Sequence, residues 1–186
     1  MSGAHVPHEH GNRNVAVLIA IIAALLALSE MAGKGAQTHA LSYQLEASNL
    51  WNFYQAKTIR QTMLRAAVGQ LEADDTPNAP EAQAARKRYD ERWKKDIERY
   101  ESEPDTGEGR KELLARAQAT EAKRDKALHQ YHLFEYSSAI FQIAIVLASA
   151  SIVTSVLILA WVAGIGAVAG GAIAGLALFA PTLLHL

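Results

Sequence analysis

The chain has 186 residues, half of them apolar, and a formal net charge of −1 at pH 7. This length allows one or two compact units. The sequence contains no cysteine, which excludes disulfides, cysteine-ligated metals and thiol catalysis. Acidic and basic residues balance and form no basic face, so a nucleic-acid partner is not expected.

Charged residues are concentrated in the middle of the chain. All Lys and Arg except Arg13, and all Asp and Glu except Glu9 and Glu30, lie between Lys34 and Glu135. A globular protein places charges on every element, so this segregation predicts ends in lipid and a middle in water. The predicted fold class is an all-α membrane protein. It has one N-terminal transmembrane helix, a cytoplasmic helical, coiled-coil-like stalk and a C-terminal transmembrane hairpin.

The first apolar run is VAVLIAIIAALLAL, residues 15–28. Its extension to Gly33 gives a length close to the roughly 20 residues that a helix needs to cross hydrocarbon. We predict a polar tail over residues 1–14 and transmembrane helix 1 over residues 15–33. Because the leader holds only Arg13 and no small-residue cleavage site follows promptly, we expect an uncleaved anchor rather than a signal peptide.

Residues 34–136 are predicted to form a charged helical domain. Apolar residues at helical spacing predict one long helix up to about Leu71. Breaker residues at 74–80 and 104–109 then separate two further helices. The apolar stripes are narrow, and other copies of the chain commonly complete such stripes, so we expect a homo-oligomer. A self-sufficient hairpin is the alternative.

The C-terminal segment, residues 137–186, carries no formal charge and is long enough for two spans. We predict transmembrane helix 2 over residues 137–162 and transmembrane helix 3 over residues 163–186. The turn between them is expected near Gly164 and Gly166, since glycine is a common turn residue. A re-entrant last segment is the alternative.

Basic residues near the span ends predict the orientation. Lys34, Lys123, Arg124 and Lys126 flank the middle domain, whereas Arg13 alone lies on the other side. Because Lys and Arg are enriched on the cytoplasmic side of membranes, the helical domain is predicted to be cytoplasmic.

Two stretches resemble a known family. They are EASNLWNFYQAKTIRQ, residues 46–61, and FQIAIVLASASI, residues 141–152. Both are similar to blocks of a bacterial membrane protein family catalogued as domain of unknown function 4337, and the order of parts is similar over nearly the whole chain. The resemblance implies a bacterial membrane location and no activity. With the three predicted spans, we expect a multi-pass protein of the bacterial inner (plasma) membrane.

The first of these stretches carries a dense polar and aromatic surface. Its candidate interaction residues are Trp51, Phe53, Tyr54, Gln55, Lys57 and Arg60. This composition is typical of a surface that binds a protein partner, and equally of a seam between helices of one chain. Both interpretations stay open at the level of sequence.

Polar residues also occur inside the predicted spans. The candidates are Glu30, Gln142, Ser149 and Thr154, together with Ser138, Ser151 and Ser155. Each polar group in hydrocarbon needs a partner, so we expect these side chains to face other helices. The alternative is that they line a path for water or ions.

Four glycines of the last span form two patterns in which small residues are four positions apart. They are Gly166 with Gly170, and Gly171 with Gly175. Small residues at this spacing allow helix backbones to approach closely, so these glycines are predicted to mediate helix packing.

No phosphate loop, nucleophile elbow, paired buried carboxylates or zinc-protease motif is found, so neither an enzyme nor a cofactor is predicted. The predicted function is that of a non-enzymatic integral membrane protein in the lipid bilayer, acting as a homo-oligomeric scaffold or docking protein. One alternative is a homo-oligomeric channel or transport-type pore. Another is an accessory subunit of a larger membrane complex.

Overall fold

The computed structural model describes residues 8–74 and 79–182, with side chains from residue 13 onward in these ranges. All regular secondary structure within them is helical, as predicted. The four helices are α1 (His8–Ala73), α2 (Pro80–Glu101), α3 (Arg110–Thr154) and α4 (Leu157–Phe179).

Local sequence accounts for the ends of α2 and the start of α3. Pro80 occupies the first turn of α2, where its fixed φ and missing N–H carry no penalty. Between α2 and α3, Gly107 has a φ of +68°, a left-handed conformation that glycine adopts without steric cost. The interruptions therefore lie where the breaker residues predict them.

The helix extends beyond the predicted N-terminal span. Helix α1 begins at His8, so residues 8–14 of the predicted polar tail are helical. Polar residues alone do not end a helix, although Gly11 is a weak helix former. The rest of the predicted tail, residues 1–7, lies outside the described residues.

The turn before the last helix also differs from the prediction. It lies at Ser155 and Val156, and Ser155 has a left-handed φ of 57°. Gly164 and Gly166, where the turn was expected, are inside α4. Glycine is common in apolar helices as well as in turns, so its presence in this segment does not locate the turn.

The chain packs as two compact units. The first comprises the described residues through Leu41 and from Arg124 onward, and the second comprises Ser42–Lys123. The predicted charged domain, residues 34–136, is wider than the second unit. The predicted bounds rest on the charge pattern, whereas the units reflect which residues pack together.

The first unit has a core of small and aromatic side chains. Phe141 is almost fully buried, and it packs in one cluster with Val15, Ile22, Ala144, Ala148, Ala160 and Ala163. In the described part of the chain, helices α1, α3 and α4 are each long and apolar enough to span a membrane.

The second unit has a smaller apolar core. Leu50 on α1 packs against Leu113 and Ala117 on α3, with Trp51 and Tyr54 at the edge of the cluster. Helix α2 has no fully buried residue. Polar contacts must therefore contribute to holding α2 in place.

Candidate functional site

The second unit is organised around the guanidinium group of Arg110, the first residue of α3. Its Nε donates to the Thr58 hydroxyl at 3.0 Å, and its Nη2 donates to the Tyr54 hydroxyl at 3.1 Å. Its Nη1 donates to Gln61 Oε1 at 2.6 Å and to Glu101 Oε2 at 2.9 Å. A guanidinium group suits this role because it presents five donors in a planar fork.

The partners of Arg110 come from two helices. Tyr54, Thr58 and Gln61 are four and three residues apart on α1, so they share one face of that helix. Gln61 is almost fully buried, and its Nε2 donates to the Ile97 carbonyl at 3.0 Å and to Glu101 Oε2 at 2.9 Å. This hydrogen bond from Gln61, with a further contribution from the charge of Arg110, holds the pKa of Glu101 below its ordinary value.

Lys57 is a buried cation next to this network. Its Nζ lies 5.4 Å from the ring centroid of Phe53 and 5.2 Å from that of Tyr100. The carboxylates of Glu103 and Glu108 are 3.7 and 3.9 Å away. Aromatic faces and carboxylates both favour a cation, so the second unit stabilises the charge of Lys57 internally.

Trp51 adds further contacts between α1 and α3. Its indole Nε1 donates to Glu121 Oε1 at 3.0 Å, and its ring meets Tyr54 edge to face at 5.6 Å. Three of the six predicted interaction residues, Trp51, Tyr54 and Lys57, thus contact other helices of the same chain. The other three, Phe53, Gln55 and Arg60, are exposed.

The loop between α2 and α3 has its own polar contacts. The Ser102 hydroxyl donates to Glu112 Oε1 at 2.6 Å, and the Glu103 backbone N–H donates to Glu112 Oε2 at 3.1 Å. The hydrogen bond from Ser102 lowers the pKa of Glu112. These contacts fix the loop at the start of α3.

The second unit has a groove next to two exposed apolar side chains of α1. The groove has a volume of about 420 Å³, and its lining includes Arg60, Met63, Trp93 and Asp96. Ile59 and Met63, one helical turn apart on α1, have 57% and 66% of their surfaces exposed. A face of this kind suits contact with another protein.

The predicted intramembrane polar residues separate into two groups. Gln142 Nε2 lies 3.4 Å from Glu30 Oε1, so α3 and α1 bring these two exposed side chains together. Ser149 and Thr154 instead donate to the carbonyls four residues earlier in α3, both at 2.8 Å. Their hydroxyl groups are satisfied within their own helix.

Sequence reasoning missed part of a buried polar chain in the first unit. The Ser138 hydroxyl donates to Ser29 Oγ, and Ser29 Oγ donates to the Phe134 carbonyl, each at 3.2 Å. Ser137 Oγ donates to the Gly170 carbonyl at 2.9 Å. Ser138 belongs to the serines noted in the second span. Ser29 and Ser137 could have been found from their place beside apolar helix residues, where a hydroxyl needs a partner.

The four glycines predicted to mediate packing differ in their surroundings. A Cβ added at Gly170 would lie 2.9 Å from Cε1 of Phe141, so this glycine lets the ring approach the backbone. A Cβ at Gly166 would make an ordinary contact with Ala144 at 3.7 Å. Nothing in the described part of the chain lies within 4 Å of a Cβ at Gly171 or Gly175.

Over residues 8–74 and 79–182, these features define an all-helical protein with three helices that are long and apolar enough to cross a membrane. The chain belongs to the family described as domain of unknown function (DUF4337), whose family model matches residues 11–180. The resemblance noted in the sequence is therefore confirmed. Comparisons with curated proteins and with solved structures give no match.

Proposed function

We propose that this chain is a non-enzymatic, multi-pass protein of the bacterial inner membrane that forms a homo-oligomeric scaffold. Its second unit extends into the cytoplasm and provides the surface through which copies associate. The observation that carries the proposal is the exposed apolar face of Ile59 and Met63 on α1, of which Met63 lines a groove that also contains charged side chains.

The membrane location is supported by the exposure of the apolar helices. In α1 and in α4, 17% of the most apolar stretch of 18 residues is buried inside the chain. Monomeric soluble proteins rarely expose a contiguous apolar patch above a few hundred Å². Lipid would cover such surfaces, which include Ile21 on α1 and Ile158 and Trp161 on α4.

The cytoplasmic placement of the second unit follows from the basic residues. Lys34, Lys123, Arg124 and Lys126 are close to the span ends on one side, and Arg13 is on the other. The positive-inside rule counts residues at these positions. We therefore place the second unit in the cytoplasm and residue 13 on the outer side.

A second copy of the chain suits the exposed face because the charges beside it are of both signs. Arg60 and Asp96 line the same groove as Met63. In a two-fold contact, residue i of one copy meets residue j of the other, so Arg60 of each copy can approach Asp96 of its partner. The apolar side chains of Ile59 and Met63 would be covered by the same contact.

A pore is the second candidate. It is favoured by the exposed pair of Glu30 and Gln142, since an acid within an apolar segment often marks an ion pathway. Against it, Ser149 and Thr154 use their own helix for hydrogen bonds, and Ser137 and Ser138 bond inside the first unit. The polar groups needed to line a pore are thus largely engaged within the chain, which supports the scaffold.

Native mass spectrometry of the full chain from lipid nanodiscs tests the scaffold. We expect a discrete multiple of the 20.1 kDa chain mass. A chain that stays monomeric under gentle conditions would overturn the scaffold and the pore, and would direct attention to an accessory role in a larger complex. A conductance that Glu30→Gln alters would favour the pore.

The contact surface can be tested by crosslinking, because the chain has no cysteine of its own. Met63→Cys is expected to form a disulfide-linked dimer in membranes under mild oxidation. Glu91→Cys is the matched control, since Glu91 is exposed on α2 but does not line the groove. Equal crosslinking at the two positions would contradict a contact at Met63.

A further inference from the structure

A second groove, in the first unit, is bordered by charged and polar side chains of α1 and α3. It has a volume of about 450 Å³, and its lining includes Glu30, Lys34, Gln37, Glu135, Ser138 and Gln142. The three residues on α1 are spaced i, i+4, i+7, and those on α3 are spaced i, i+3, i+7. Each set therefore occupies one face of its helix.

The charges around this groove do not neutralise each other. Glu30 accepts a long hydrogen bond from Gln142 at 3.4 Å, and Glu135 lies 3.5 Å from Nδ1 of His132. Among the residues that the structure describes, Lys34 forms no ion pair with either carboxylate. The ammonium group of Lys34 and the carboxylates of Glu30 and Glu135 thus line the same groove without pairing with one another.

The groove lies where the charge-free stretches of both helices end. Helix α1 carries no formal charge between Arg13 and Glu30, and α3 carries none after Glu135. If the chain spans the membrane as proposed above, this is the level where hydrocarbon meets water and where lipid headgroups lie. The inference made here depends on that membrane placement.

We propose that this groove binds the phosphoethanolamine headgroup of a membrane phospholipid. Glu30 and Glu135 accept hydrogen bonds from its ammonium group, and Lys34 pairs with its phosphate. The Tyr131 side chain also lines the groove and brings a hydroxyl donor for the phosphate. Ionised partners make these hydrogen bonds stronger than neutral ones.

Other ligand classes fit the groove less well. A choline headgroup has no N–H to donate, so it gains little from carboxylates at hydrogen-bonding distance. An anionic headgroup is repelled by two carboxylates and attracted by one lysine. No group of three or more metal-ligating side chains occurs in the described residues, so a metal ion is not the expected ligand.

The test is lipid retention by the full chain. Nanodiscs are prepared with equal amounts of phosphatidylethanolamine and phosphatidylcholine that carry the same acyl chains, and the retained lipids are counted by native mass spectrometry. We expect a preference for phosphatidylethanolamine of about three- to fivefold, the effect typical of a partly exposed ion pair. The double variant Glu30→Gln with Glu135→Gln is expected to abolish the preference.

Two further variants separate the parts of the site. Lys34→Gln should reduce retention of both lipids without changing their ratio, because both contain phosphate. Ala139→Trp should reduce retention of phosphatidylethanolamine while leaving both carboxylates in place, since Ala139 lines the groove and is exposed. Glu46→Gln, at an exposed acid elsewhere on α1, is the control and should change nothing.

Equal retention of the two lipids by the unchanged chain would overturn the proposal. So would an unchanged preference in the Glu30 and Glu135 double variant. The same spectra report the oligomer mass. An oligomer without lipid preference would contradict the lipid-binding proposal but not the scaffold. A monomer with the preference would contradict the scaffold but not the lipid-binding proposal.

Discussion

Arg110 Nη1 lies 2.9 Å from Glu101 Oε2, and the same oxygen accepts a hydrogen bond from Gln61 Nε2 at 2.9 Å. Gln61 is on α1, Glu101 is the last residue of α2 and Arg110 is the first residue of α3. One carboxylate oxygen therefore connects three helices of the second unit, at the place where the apolar core is thin.

Replacing Arg110 with alanine should destabilise the second unit. The change removes all four side-chain hydrogen bonds and leaves Gln61 and Glu101 partly unsatisfied. Since the Arg110 side chain is 20% exposed, we expect a loss of about 2–3 kcal/mol in the free energy of local unfolding. Hydrogen exchange of the α2 amides in the nanodisc-embedded full chain measures this loss.

Two variants calibrate that measurement. Arg110→Lys keeps the charge but loses the planar fork, so its effect should lie between those of the wild type and Arg110→Ala. Arg88→Ala removes an exposed arginine of α2 and should change the exchange free energy by less than about 0.5 kcal/mol. Equal effects at Arg88 and Arg110 would contradict the central role of Arg110.

The lowered pKa of Glu101 predicts a pH dependence of stability. A carboxyl group whose pKa is lower in the folded state stabilises the fold above its unfolded pKa, here 4.5, and loses that contribution as the pH falls through the folded value. We therefore expect the protection factors of the α2 amides, which are corrected for the pH dependence of intrinsic exchange, to decrease as the pH falls below 4.5. Glu101→Gln should show a smaller acid effect, and an identical acid effect in the two proteins would refute this assignment.

Lys57 provides a separate test of the seam between α1 and the loop that follows α2. Lys57→Met keeps an apolar stem between the rings of Phe53 and Tyr100 but removes the charge near Glu103. We expect a loss of about 1 kcal/mol, since cation–π contacts and partly exposed ion pairs are each of this order. Exchange of the amides of residues 102–109 gives the measurement.

A double variant shows whether the charge is responsible. If Lys57 acts through Glu103, adding Glu103→Gln to Lys57→Met should cost less than the sum of the two single changes. Strict additivity would mean that the ion pair at 3.7 Å contributes nothing measurable.

The helices of this protein could be predicted from sequence because their signals are local. Apolar spacing and the breakers near Pro80 and Gly107 act within a few residues. The turn at Ser155 could not be predicted in this way. Serine in a left-handed conformation has no distinctive local pattern, whereas the nearby glycines suggest a turn and instead lie inside α4.

The candidate site was harder to predict because it depends on pairings between distant parts of the chain. Trp51 meets Glu121 across 70 residues, and Arg110 meets Tyr54 across 56. Residue types identified Trp51 and Tyr54 as candidates for contact, but a partner surface and an internal seam have the same composition. The register of α3 against α1 decides between them, and no short-range pattern encodes that register.

Gly170 and Gly171 form a matched pair of neighbours in α4 with opposite surroundings. An added Cβ at Gly170 would lie 2.9 Å from the Phe141 ring, closer than real Cβ contacts, whereas a Cβ at Gly171 meets nothing within 4 Å in the described part of the chain. We expect Gly170→Ala to lower the free energy of unfolding by about 1–3 kcal/mol, the usual cost of overpacking. Gly171→Ala should be neutral or slightly stabilising within the chain, because alanine favours a helix more than glycine does.

Thermal unfolding in detergent micelles, followed by circular dichroism, compares these two variants. Phe141→Leu combined with Gly170→Ala should recover part of the loss, because the smaller side chain leaves room for the new methyl group. Similar stability of Gly170→Ala and Gly171→Ala would mean that α4 does not pack closely against Phe141. A lower oligomer mass for Gly171→Ala alone, with unfolding unchanged, would instead place the open glycine face of α4 at a contact between copies, where small residues let helices approach.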